Sequence, residues 1–144
     1  MSTRTLLAAV AVLWLSGLGC AVGQESPAGF ALPDGNQEAG QAAFLELRCN
    51  ACHTVRGLDL PPPVAEPPVP VALGGNVAMS RVTDGALVTA IIAPSHQVAP
   101  YYQSELVTSD GSSRMAEYGD VMTVRQLIDL VAFLQSHYQA EEAR

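Results

Sequence analysis

The run Cys49-Asn50-Ala51-Cys52-His53 is where residue type and spacing could do chemistry. Two thiols three residues apart on a helical turn face the same way, so each can add to one vinyl group of a haem. A histidine directly after the second cysteine is then held beneath the iron, where its imidazole binds axially. Covalent attachment prevents haem loss from a domain too small to enclose it fully. Other uses of the spacing fit less well. A redox Cys-x-x-Cys normally belongs to a strand–helix unit, and the pattern around this one suggests none. A structural zinc site needs four ligands, and there is no second cysteine pair. The cofactor expected is therefore one haem c, bound through Cys49 and Cys52, with His53 as proximal iron ligand.

The elements available to position these residues read as helices. The first is expected from about Gln37 to Ala51, with Ala39, Ala43, Phe44 and Leu47 at helical spacing and Asp34 or Asn36 as cap. The second is expected from about Thr83 to Ala93, with Leu87, Val88, Ile91 and Ile92 on one face and Pro94 ending it. The third runs from Val124 to about Gln139. There Thr123 and Gln126 make a capping box, and Met122 and Leu127 take the positions of a hydrophobic staple. Its apolar stripe is Val124, Leu127, Ile128, Val131 and Leu134. Between the first two helices, Pro61 to Pro70 holds six of the ten prolines and reads as a stiff, irregular loop. Ser104 to Thr108 has room for a short strand, and nothing alternates for longer. The fold class predicted is all-α.

The chain has 144 residues, room for one domain behind a leader. Arg4 is the only charge before Glu25, and it precedes the apolar run Leu6 to Leu15. Ten residues at about 1.5 Å each span roughly half a bilayer core, so the run is too short to cross. A positive start, a short apolar core and a small-residue exit describe an export signal. Cleavage before Cys20, which follows Gly19, would leave a cysteine for lipid modification, as in bacterial lipoproteins; ordinary cleavage after Gly23 is the alternative. The division predicted is residues 1–19 (or to 23) as export signal, 20–35 as flexible lead, and 36–144 as the domain. The product is expected in the periplasm or on the outer face of a membrane, tethered through Cys20 if lipidated. Net charge is −7, becoming −8 once Arg4 is lost, which argues against nucleic acid as a partner.

From Gln37 to Tyr138 the sequence resembles the monohaem class I c-type cytochromes. Gly40-Gln-Ala-Ala-Phe44 ahead of the cysteine motif is similar to that family's first helix, and Asp129-Leu-Val-Ala-Phe133-Leu to its last. The resemblance implies a small helical domain wrapped around the haem, in which Gly40 and Phe44 pack against Leu130 and Phe133. It also implies that a backbone carbonyl from a proline loop holds the far ring nitrogen of His53. The Pro61–Pro63 and Pro67–Pro70 runs are both available for that. Candidates for the sixth iron ligand are Met79, Met115, Met122, His96 and His137. Met115, eight residues before the cap of the last helix, lies where the family places its distal methionine, although Ala116 follows it in place of the family's frequent proline. His96 reads as a surface turn residue.

With both axial positions filled, iron changes valence without binding substrate. The expectation is an electron carrier rather than an enzyme, passing single electrons between exported redox proteins. The family docks acidic partners through basic residues around the haem edge. A lysine-free chain at this charge calls instead for partners with basic or neutral faces. The alternatives are a haem sensor with an open sixth site, or a dedicated cytochrome subunit of a periplasmic dehydrogenase.

Overall fold

The computed structural model describes residues 30–62, 71–77, 82–98 and 104–140. The segment expected to be an export signal, Cys20, most of the expected 20–35 lead, Met79 and the greater part of the proline run lie outside these residues.

Helix α1 (Gln37–Glu46) starts at Asn36, whose side-chain oxygen accepts the Ala39 N–H at 2.9 Å. The asparagine, not Asp34, is thus the cap. The helix stops earlier than its periodicity predicts. Leu47 caps it, Arg48 turns left-handed at φ 57°, and Cys49–Ala51 form a single 3₁₀ turn. Helix α2 (Asp84–Ile92) is capped by the Thr83 hydroxyl and ends two residues before Pro94, with Ala93 as its C-cap. Short helix α3 spans Ser104–Val107, where a strand was predicted. Helix α4 (Val124–His137) carries the complete capping box, with Thr123 and Gln126 each bonded to the other's backbone N–H.

Strands β1 (His53–Val55) and β2 (Val71–Leu73) pair in parallel, as do β3 (Gly75–Val77) and β6 (Tyr138–Ala140). Strands β4 (Thr108–Ser109) and β5 (Ser112–Ser113) form a hairpin. Asp110 and Gly111 between them have φ of 51° and 79°, the two positive values a type I′ turn requires. The fold is therefore mixed α/β, and the all-α prediction is corrected. The physical reason is length. Ladders of two or three residues are too short to show the alternation that marks a strand, and two of the three join segments far apart in the chain.

The core is the crossing of α1 and α4, closed by α2 and β1. Gly40 lets the helices approach closely. A Cβ there would lie 2.6 Å from the Cβ of Phe133 and closer still to the Asp129 carbonyl. Phe44 and Phe133 then meet edge to face, with ring centroids 5.7 Å apart. Leu130, Val131 and Leu134 fill in around them, with Leu87, Val88 and Ile91 from α2. Two residues expected on apolar faces point outward: Val124, at 74% exposure in the first position of α4, and Ile92, at 48% in the last of α2. Buried Asp129 accepts the Asn36 N–H at 2.8 Å, tying the start of α1 to the middle of α4.

Candidate functional site

The end of α1 delivers the cysteine motif to the core. The left-handed turn at Arg48 swings the chain so that Cys49 is buried while Cys52, at the close of the 3₁₀ turn, is exposed. The two thiols are free and do not share one environment, as an unbroken helical turn would have given them. Burial pushes the Cys49 thiol up to about 11, so it is a neutral thiol at physiological pH.

His53 begins β1, and its position follows from the parallel ladder. Val71 N–H donates to Cys52 O at 2.9 Å and Arg56 N–H to Leu73 O at 2.8 Å, placing Val71 directly opposite His53. Imidazole Nδ1 lies 3.3 Å from the Val71 carbonyl. A carbonyl only accepts, so this bond puts the ring proton on Nδ1 and leaves the Nε2 lone pair free. Burial lowers the His53 pKa below the usual 6.5, partly offset by the same carbonyl, which keeps the ring neutral at pH 7. The orienting acceptor is thus Val71, directly after the proline run. Pro61 does other work, its carbonyl accepting the Asn50 side-chain N–H at 3.1 Å.

Cys49, His53 and Met115 line one crevice, together with Tyr118 and Met122. Phe44, Leu87, Ile91, Leu130 and Leu134 give it apolar walls from α1, α2 and α4. Counting its open mouth, it contains about 510 Å³ of space not filled by atoms. Met115 lies two residues beyond β5, in the irregular segment that leads to α4, and its N–H donates to the Ser113 hydroxyl at 3.2 Å. His96 is exposed and off the crevice wall, where its N–H closes a turn onto Ala93 O. His137, another candidate sixth ligand, is half-buried with its ring 5.0 Å from that of Phe133.

Whether these residues suit a haem is a question of donor chemistry. An imidazole with an oriented ring and a free Nε2, thioethers on the same crevice and an apolar surround are what a six-coordinate haem iron takes. Zinc has different needs, and among the described residues no three His, Cys, Asp or Glu side chains converge to hold a metal ion. The residues fit haem. Cys49 lines the crevice, and Cys52 is exposed three residues on.

Met122, which the sequence offers both as a staple residue and as a candidate sixth ligand, lines the crevice while packing half-buried against the core. Sequence reasoning did not single out Tyr118. Its hydroxyl donates to Leu47 O at 3.2 Å, and burial foremost, with electrostatic interaction with the neighbouring Cys49 and Cys52 groups, raises its pKa so that it remains a donor. An aromatic three residues after Met115 was the available signal. Comparison of the chain with protein-family models, curated proteins and solved structures gives no match.

Proposed function

We propose that this protein is a one-electron carrier of the class I cytochrome c kind, exported and holding one haem c through Cys49 and Cys52. The observation that carries the reading is the meeting of Cys49, His53 and Met115 on one apolar crevice, with the outer nitrogen of His53 already engaged by Val71. When bound, the haem supplies an iron couple that gains or loses a single electron.

The chain's own residues bind and tune that couple. Cys49 and Cys52 are the attachment points. His53 presents Nε2 from a ring fixed in rotation and tautomer by the Val71 carbonyl, which also makes the ligating nitrogen a better donor. Met115 offers a neutral thioether, a ligand that favours the reduced metal and raises the potential. The Leu87, Leu130 and Leu134 side chains exclude water, which works in the same direction by disfavouring the form with greater charge. Exposed Glu46, Glu117 and Asp120 agree with partners that bring basic or neutral faces.

The test is extraction and spectroscopy of the protein expressed with a periplasmic cytochrome-maturation system. Haem should stay with the polypeptide through acid–acetone treatment, and Cys52→Ala should yield little stable holoprotein. The reduced spectrum should not change when carbon monoxide is added. Extractable haem removes the whole proposal. Rapid carbon monoxide binding by the wild type replaces the carrier with a ligand-binding sensor.

A further inference from the structure

We infer that Tyr118 is a positioning residue for the Met115 thioether, acting through its hydroxyl on the end of α1; this rests on the haem reading above. The segment carrying Met115 is held on its upstream side by the hairpin. Ser113 N–H donates to the Ser95 hydroxyl at 3.0 Å, Arg114 N–H to Val107 O at 2.9 Å, and Met115 N–H to Ser113 Oγ at 3.2 Å. Ala116 and Glu117 follow, both exposed. The next fixed point is Tyr118.

Three connections meet at that residue. Its side chain lines the crevice beside Met115 and Met122. Its backbone carbonyl accepts the Val121 and Met122 N–H groups at 3.2 and 3.0 Å, forming the turn that leads into α4. Its hydroxyl donates to the carbonyl of Leu47, the C-cap of α1 and two residues before Cys49. Carbonyls at a helix end lack an intrahelical partner, so Leu47 O has an acceptor site to give. The phenol therefore joins the methionine side of the crevice to the cysteine–histidine side. Without the hydroxyl the 115–118 segment keeps its upstream bonds and the backbone turn at Tyr118 but loses its tie to α1.

The consequence is a bias between Met115 bound to iron and Met115 displaced. One neutral hydrogen bond is typically worth about a fivefold change in such a ratio. Tyr118→Phe keeps the ring in the crevice and removes only the hydroxyl. In the ferric holoprotein, titration with imidazole should displace Met115 at about fivefold lower concentration than in wild type. Displacement is followed by loss of the weak red absorption band of thioether-ligated iron. Gln135→Ala provides the comparison. It deletes bonds to Val82 O and Asp84 Oδ1, both 2.9 Å, that do not involve the methionine segment. It should lower unfolding stability yet leave the imidazole titration at the wild-type value.

Wild-type imidazole affinity in Tyr118→Phe overturns the inference while the carrier reading stands. An equal shift in Gln135→Ala also overturns it, because general loosening then accounts for the effect. A wild type without covalently held haem or without the red band removes the carrier reading and this inference with it.

Discussion

Replacing Gly40 by alanine sets two physical rules against each other. Alanine inside a helix is favoured over glycine by about 1 kcal/mol, so local propensity alone has the variant more stable than wild type. The packing says otherwise. The added Cβ would sit 2.6 Å from Phe133 Cβ, whereas ordinary contact begins at 3.4 Å, so α1 and α4 must part by at least about 0.8 Å. The Asp129 carbonyl, nearer still, is main chain in the middle of a helix and cannot swing aside. Parting the helices strains the edge-to-face contact of Phe44 and Phe133, which are 1% and 2% exposed. Overpacking of this kind costs about 1–3 kcal/mol, and a weakened aromatic pair about 0.5–1.5 kcal/mol more. After the propensity gain, the net loss should be about 0.5–3.5 kcal/mol. Urea unfolding followed by far-ultraviolet circular dichroism measures it, with Ala42→Gly on the exposed side of the same helix as reference. Ala42→Gly should also lose about 1 kcal/mol, from propensity alone. Exchanges in opposite directions should thus both destabilise. A Gly40→Ala protein as stable as wild type, or more so, would refute the close-approach argument. Because Leu130 and Leu134 on α4 wall the crevice, the same variant should loosen it.

Met115→Ala should abolish the red thioether band of the ferric protein and admit carbon monoxide to the reduced one. Met122→Ala should keep the band and lose about 1–2 kcal/mol of stability, roughly half the cost of truncating a fully buried methionine. His96→Ala should change neither property. The ligand assignment fails if Met122→Ala removes the band and Met115→Ala spares it. For the leader, Cys20→Ser in the native host should move the protein from the membrane fraction to the soluble periplasmic one; a wild type already soluble and beginning at Gln24 refutes lipid anchoring.

The sequence by itself determined what depends on near neighbours. The cysteine pair and its histidine are adjacent in the chain, so the haem attachment proposed for them rests on spacing that needs no coordinates. The capping box of α4 is a four-residue pattern, and it formed as read. The stop of α2 before Pro94 follows from steric exclusion between adjacent residues. Even the pairing of Gly40 and Phe44 with the last helix was accessible, through resemblance. The Asp110-Gly111 hairpin was also local, and the signal was present but unused.

What tertiary structure alone decided involves partners distant in sequence. Nothing near Arg48 announces a left-handed residue, so the early end of α1 and the unequal burial of Cys49 and Cys52 could not be read from periodicity. Val71 reaches His53 because a parallel ladder spans the proline loop, and a three-residue ladder carries no pattern of its own. The bond from Tyr118 to Leu47 crosses 71 positions. Local sequence states what each segment can form, whereas these contacts depend on which surfaces remain once α1 and α4 have closed on Gly40. That is why the mixed α/β character and the shape of the crevice belong to the folded chain and not to any stretch of it.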